Sequence, residues 1–127
     1  MPAAGHLGEL GRIHALLATI YVTADRLAEA RSELAEAEGI LGLLPEPGHY
    51  ALVRLAAAYA ALSAGAEMDK RQEYSDRAMA TLRRATAAGW HNLAELQSDP
   101  SFRPLSSRPD FEPLRMDVAF PDDVFEL

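Results

Sequence analysis

Histidine and carboxylate side chains are the first candidates for chemistry in this sequence, and the absence of cysteine excludes disulfides and thiolate chemistry. The four histidines lie on separate segments, at positions 6, 14, 49 and 91, and the H-E-x-x-H spacing of zinc proteases does not occur. His6 and His14 are two helical turns apart, too far to share a metal ion without a fold-back of the chain. Asp122 and Asp123 adjoin near the carboxyl end, where a solvated end is the simpler interpretation. We therefore predict no catalytic residue, no metal site and no cofactor.

The remaining charges form two clusters of opposite sign on two different segments. The acidic cluster contains Glu29, Glu33, Glu36 and Glu38, and the basic cluster contains Lys70, Arg71, Arg77, Arg83 and Arg84. Two interpretations stay open. The clusters are either two solvated helix faces, or surfaces of two neighbouring helices that complement one another.

The composition predicts an all-α protein. Among 127 residues there are 24 Ala and 18 Leu, both strong helix formers, whereas β-branched residues are scarce. A net charge of -7 argues against nucleic acid as a partner, because phosphate binding needs a cationic surface. No apolar run reaches the roughly 18 residues of a membrane span, and the first residues do not follow the charged-then-apolar pattern of a signal peptide, so we expect neither membrane insertion nor secretion. We expect one cytoplasmic domain spanning residues 1–127.

Hydrophobic periodicity places four long helices in the first two thirds of the chain. The first spans about residues 6–21, the second begins near Asp25 and stops before Gly42, the third spans about 49–64, and the fourth runs from about Asp69 to Gly89. Apolar residues recur at helical spacing on the first helix, at Leu10, Ile13, Leu17 and Tyr21. On the second helix they form a stripe of the kind that buries one face, at Leu27, Ala30, Leu34, Ala37 and Leu41. The third is apolar nearly all round, which is typical of a helix that packs on more than one side. Five prolines follow Trp90, and Pro100 and Pro109 each stand where a short helix could begin. We therefore predict two short helices and then an extended acidic end.

The two halves of the helical region repeat each other. Leu17-Ala18-x-x-Tyr21 recurs as Leu55-Ala56-x-x-Tyr59, and Ala30-x-x-x-Leu34-x-x-Ala37 recurs as Ala78-x-x-x-Leu82-x-x-Ala85. The two motifs are nine residues apart in the first copy and nineteen in the second, measured from Tyr to Ala. We predict one hairpin over residues 6–44, a second hairpin with a lengthened turn or helix over 49–89, and a proline-rich cap over 90–127.

In this pattern the chain resembles the tetratricopeptide repeat (TPR) family, without a gap over residues 11–44 and with the insertion over about 49–90. A closer similarity lies downstream, where Tyr74–Trp90, Asp99-Pro100 and Pro109-Asp110-Phe111 follow in order. This region resembles the end of the TPR region in planctomycete-type serine/threonine protein kinases. The kinase core is absent from this sequence, since it has no G-x-G-x-x-G loop, no His-Arg-Asp loop and no Asp-Phe-Gly triplet.

The resemblance implies a non-catalytic module that binds a protein or peptide in the groove formed by the first helix of each repeat. Its groove positions are Arg12, Ala15, Thr19, Tyr50, Val53 and Ala57. These are mostly small and apolar, with Arg12 and Arg54 as nearby cations, so an apolar helix or extended segment is the expected ligand. Tyr50 and Val53 could instead be core residues.

Two repeats are fewer than the three or more that such arrays usually need. The exposed first helix is therefore where we expect a missing neighbour, supplied by a longer parent protein or by a homodimer. The resemblance implies the scaffold part of a bacterial signalling protein such as a serine/threonine kinase. The alternatives are a stand-alone helical homodimer and a fragment whose activity resides in a fused kinase domain.

Overall fold

The computed structural model describes residues 4–119, with side chains from residue 6 onward. In chain order the elements are α1 (Ala4–Thr23), α2 (Leu27–Leu41), α3 (His49–Gly65), α4 (Met68–Ala87), α5 (Leu93–Ser98), a 3₁₀ helix (Pro100–Leu105) and α6 (Phe111–Ala119). This range contains no strand, in agreement with the all-α prediction. None of its helices combines the length and apolar character needed to cross a membrane. The predicted acidic end, with Asp122 and Asp123, lies outside the described residues.

Short turns join the four long helices into two hairpins, α1 with α2 and α3 with α4. The first turn closes on Asp25, whose φ of 59° lies in the left-handed region that aspartate tolerates. This conformation lets the N–H of Arg26 donate to the carbonyl of Tyr21 at 2.8 Å. Asp25 therefore ends α1 and does not start α2, which corrects the sequence prediction.

The ten additional residues of the second hairpin lengthen its helices and not the turn between them, so of the two possibilities the lengthened helix is the one observed. α3 continues six residues beyond Tyr59, whereas α1 ends two residues beyond Tyr21. α4 begins ten residues before Ala78, whereas α2 begins three residues before Ala30. The inserted stretches contain no proline and are rich in helix formers, so they extend the hydrogen-bonded ladder.

The core is organised around α3, which packs against α1, α2, α4 and the 3₁₀ helix. Twelve of its 17 residues are buried, including Leu52, Tyr59 and Leu62. This confirms that the nearly uniform apolar character of this segment marks a helix packed on more than one side. The α2 stripe is also buried as expected, at Ala30, Leu34, Ala37 and Leu41.

α1 behaves differently, because the fully buried residues on its inward face are small, whereas several of its large apolar residues face outward. The buried positions on this helix are Gly11, Ala15 and Ala18. Leu10 and Ile13, which carry the periodic pattern in the sequence, are exposed. Small inward residues allow a neighbouring helix to come close: a Cβ on Gly11 would lie 2.5 Å from a methyl carbon of Leu41.

The carboxyl-terminal region, residues 90–119, forms a cap on the second hairpin. Pro100 begins the 3₁₀ helix as predicted, with the carboxylate of Asp99 accepting from the N–H of Ser101 at 2.9 Å. The sequence did not predict α5, and α6 begins at Phe111, two residues after Pro109. Phe102 and Leu105 are fully buried, and the 3₁₀ helix packs on α3. The carboxyl-terminal region of the chain thus covers one side of α3.

The acidic and basic clusters meet at one point within the described residues. The Tyr59 hydroxyl donates to Glu38 at 2.6 Å, and Arg77 lies 3.5 Å from the same carboxylate. Burial and the Glu38 charge raise the pKa of Tyr59 above its ordinary value. Arg83 pairs with Asp110 in the cap and not with α2. Complementarity between α2 and α4 is therefore limited to the Glu38–Arg77 pair in this part of the chain.

Candidate functional site

A groove runs across the face where α1, α3 and α5 meet. One hollow in it has a volume of about 340 Å³ and is lined by Glu9, Arg12, Tyr50, Val53, Arg54 and Glu95. α1 supplies the first two of these side chains, α3 the next three and α5 the last. We call this surface the Tyr50 groove. The three helices position its side chains along their exposed edges, while their other faces are buried in the core.

Tyr50 stands between two hollows of this groove. It lines the first hollow and also a second one of about 280 Å³, which is bordered by Leu44, Pro47 and Ala51. The side chain is 72% exposed, in the first turn of α3, and its ring centroid lies 4.2 Å from that of His49. Tyr50 therefore projects as an aromatic ridge with a depression on either side.

The α1 wall of the groove carries an ion pair between Arg12 and Glu9, one turn apart. The Nε of Arg12 donates to Glu9 Oε2 at 3.1 Å, and a second bond joins the other atoms of the two groups. Through this hydrogen-bonded contact, Arg12 lowers the pKa of Glu9 and Glu9 raises the pKa of Arg12. The wall is therefore polar yet locally neutral at pH 7.

The opposite end of the groove is fixed by Arg54, which joins α3 to the cap. Its guanidinium donates to Glu95 at 3.2 Å and to Asp99 at 3.0 Å. Glu95 also accepts from the indole N–H of Trp90 at 2.9 Å. Because a chain of hydrogen bonds connects these four side chains, this end of the groove is pre-organised.

The structure brings some of the predicted groove residues together and buries others. Arg12, Tyr50 and Val53 line one hollow, with Val53 almost fully buried beneath it. Ala15 and Ala57 have no exposed surface and belong to the core, so they offer nothing to a partner. Thr19 is half-buried, and its hydroxyl donates to the carbonyl of Leu16 at 2.7 Å.

Two residues of the groove escaped sequence reasoning. Glu95 lies on α5, a helix of six residues that is too short for hydrophobic periodicity to reveal. Its cap could have been found, because Asn92 stands three residues before Glu95 and its side chain accepts from the Glu95 N–H. Glu9 could have been paired with Arg12 from the i, i+3 spacing alone.

Other hollows lie on the described surface. One of about 560 Å³ is bordered by Pro45, Leu52, Arg84 and Ala88, and the loop 45–48 separates it from the Tyr50 groove. No exposed aromatic side chain lines it. Within residues 4–119, no three histidine, aspartate or glutamate side chains come close enough to hold a metal ion.

The chain was compared with known proteins at the levels of family, sequence and structure. No protein-family model matches it, and neither a curated protein nor a solved structure does.

Proposed function

We propose that this chain is a TPR-type protein-interaction module whose Tyr50 groove binds an extended segment of a partner protein. The observation that carries the proposal is the aromatic ridge of Tyr50 between two hollows. Tyrosine at such a place gives a partner a large, rigid contact area at low cost in side-chain entropy. The adjoining hollows have room for two side chains of an extended ligand, on either side of the ridge.

The arrangement of the helices supports the TPR interpretation. α1 packs on both α2 and α3, and α3 packs on α4, which is the order of contacts expected for two stacked hairpins. The groove lies along α1 and α3, the first helix of each proposed repeat. α5 adds a third wall to the groove through Glu95.

The proposed role is binding without a covalent step, as the scaffold part of a bacterial signalling protein such as a serine/threonine kinase. The similarity of residues 74–111 to the TPR region of such kinases supports this context. The reading frame of the native gene upstream of the Met1 codon tests it. A glycine-rich loop and a His-Arg-Asp loop in that frame would support the kinase context, and a stop codon there would contradict it.

A second candidate function is homodimerisation, which the exposed apolar residues of α1 favour. Sedimentation velocity over a range of protein concentrations separates the two functions. A module that binds other proteins stays monomeric, whereas a dimerisation protein sediments as a dimer at micromolar concentrations.

The groove is tested with peptides selected from a random library displayed on phage against the intact chain. Affinities of the enriched peptides are then measured by fluorescence anisotropy. We expect Tyr50→Ala to weaken binding at least tenfold, about 1.4 kcal/mol, because truncation removes the ridge.

Leu43→Ala is the matched control, because Leu43 is also 72% exposed but lines neither hollow of the groove. Its affinity for the same peptides should equal that of the wild type. Equal losses in the two variants, or a library without enriched peptides, would contradict the proposed site.

A further inference from the structure

The outward face of α1 is the largest run of exposed apolar side chains on any helix in the described part of the chain. Its members are Leu10, Ile13, Leu16 and Ile20, with exposed fractions of 44%, 39%, 36% and 52%, together with the half-buried Leu17. We call these five residues the α1 stripe. Single exposed leucines are ordinary, but a stripe over three turns of one helix marks an interaction surface.

The stripe lies on a helix that is apolar on two sides. The inward side already has its packing partners, since Gly11, Ala15 and Ala18 are buried against α2 and α3. A helix with apolar residues on opposite faces is typical of one packed between two neighbours. Within the described residues, α1 has such neighbours on its inward side alone.

A row of acidic residues on α2 borders the stripe. Glu29, Glu33 and Glu36 are spaced by four and three residues, so they share one face of that helix. The Nδ1 of His14 on α1 lies 2.5 Å from Glu33, which places this row beside α1. His14 is itself four residues from Leu10 and three from Leu17, so it marks the edge of the stripe.

The charges around the stripe are predominantly negative. Four carboxylates border it, from the acidic row and from Glu9 on the opposite edge, against two guanidinium groups, Arg12 and Arg26. Arg12 pairs with Glu9 and Arg26 with Glu29, so neither neutralises Glu36. A complementary partner must therefore be apolar at its centre and basic along its edges.

We propose that the α1 stripe docks an amphipathic helix of a partner protein whose apolar seam is flanked by lysine or arginine residues. A partner helix of about four turns, packed along α1, would cover the stripe. Its basic side chains would meet Glu36 and its neighbours along the α2 edge, whereas Glu9 on the other edge is already paired with Arg12. This surface goes beyond the Tyr50 groove, with which it shares Glu9 and Arg12 at its border.

A second copy of the chain fits the stripe less well than a basic helix does. Each copy carries a net charge of -7. A two-fold contact through α1 would bring the same surface of both copies together, including both acidic rows. Like charges would then face one another around the apolar contact, whereas the basic side chains of a partner helix would form ion pairs with these carboxylates.

The test uses two labelled synthetic helices of about 18 residues, with the same leucine seam and with either lysine or glutamate along both edges. Binding to the intact chain is measured by fluorescence anisotropy. We expect the lysine peptide to bind at least tenfold more tightly than the glutamate peptide. The preference should weaken as salt screens the edge charges.

Variants locate the binding surface. Ile13→Asn should weaken binding of the lysine peptide about tenfold, and Ile20→Asn serves as a second such variant because both side chains are already exposed. Glu36→Lys should reduce the preference for the lysine peptide. Tyr50→Ala should leave the preference for the lysine peptide unchanged. A failure of this proposal can therefore be distinguished from a failure of the proposed Tyr50 groove. Circular dichroism establishes that each variant is folded.

Three outcomes would overturn the proposal. The first is equal binding of the two peptides, or binding of neither at millimolar concentration. The second is lysine-peptide binding that Ile13→Asn and Ile20→Asn leave intact. The third is a dimer in sedimentation that Ile13→Asn dissociates, which would make a second copy the occupant of the stripe.

Discussion

Glycine and alanine decide how closely the helices of this molecule approach one another. Gly11, Ala15 and Ala18 form the inward face of α1, and a Cβ on Gly11 would meet the Leu41 side chain at 2.5 and 2.6 Å. Gly39 on α2 is the opposite case, because a Cβ there would have no atom within 4 Å. Two glycines in neighbouring helices therefore have different physical roles.

This contrast predicts opposite effects of the same substitution. Gly11→Ala should lower the free energy of unfolding by about 1 kcal/mol, because the strain of overpacking against the buried Leu41 exceeds the gain in helix propensity. Gly39→Ala should raise it by about 0.5–1 kcal/mol, because propensity alone changes. Urea denaturation measures both. Stabilisation by Gly11→Ala would show that α1 and α2 pack less closely than described.

Among the elements, the cap is held to the second hairpin by the Arg108 side chain. Its guanidinium donates to both carboxylate oxygens of Asp110, at 2.8 and 3.0 Å, and to Ser75 and Asp76 on α4, both at 2.8 Å. Arg83 on α4 also donates to Asp110, at 3.1 Å. The turn before α6 is thus anchored on α4 by charged hydrogen bonds.

These contacts make the stability of the protein sensitive to acid. The hydrogen bonds from Arg108, with Arg83 beside them, lower the pKa of Asp110 to about 2, from an ordinary value of 3.8. A lowered carboxyl pKa stabilises the fold fully above about pH 4, and this stabilisation is lost as the pH falls towards 2. Because Asp110 is about a third exposed, we expect a contribution on the order of 1 kcal/mol.

Melting curves of Asp110→Asn between pH 7 and pH 2 check this prediction. The variant should melt below the wild type at pH 7, and the difference should shrink as the pH falls to 2. Asp117→Asn, which alters an exposed carboxyl on α6, is the control and should follow the wild type throughout. A pH-independent difference between Asp110→Asn and the wild type would mean that the carboxylate charge is not the cause.

At the scale of the whole molecule, the hairpins and the cap share one core. Trp90, Leu96 and Phe102 belong to the same buried cluster as the residues of α3. Arg54 adds a polar connection between α3 and the cap through Glu95 and Asp99. The carboxyl-terminal side of the stack is therefore covered, while the α1 side carries the exposed stripe.

Because the hairpins and the cap share one core, we expect a single unfolding transition. Trp90 is the single tryptophan and is buried, so its fluorescence reports the cap while far-UV circular dichroism reports all helices. We expect coincident urea transitions in the wild type. Arg54→Ala should lower the free energy of unfolding by about 2 kcal/mol with both probes, since it leaves two half-buried carboxylates without their cation.

Arg115→Ala is the control for this measurement, because the Arg115–Glu112 pair lies on the surface and should contribute little. A fluorescence transition that precedes the circular dichroism transition would contradict the shared core. It would mean that the cap unfolds separately from the hairpins.

The sequence by itself determined the elements that depend on local patterns. Composition and period predicted the four long helices, the buried stripe of α2 and the burial of α3, because helix propensity and amphipathic spacing act within one segment. Pro100 predicted the start of the 3₁₀ helix, since proline suits the first helical position. Part of the groove was also predictable: Arg12, Tyr50 and Val53 came from the repeat register.

Tertiary structure alone decided the features that depend on which surfaces meet. The pattern of α1 could not say which of its two apolar faces is buried, because packing of small residues against α2 and α3 makes that choice. The same packing buries Ala15 and Ala57, which the register had placed in the groove. Glu95 and Arg54 are 41 residues apart in the chain, so their contact exists only after α5 folds onto α3. Long-range contacts of this kind depend on the relative positions of whole elements, which no local pattern specifies.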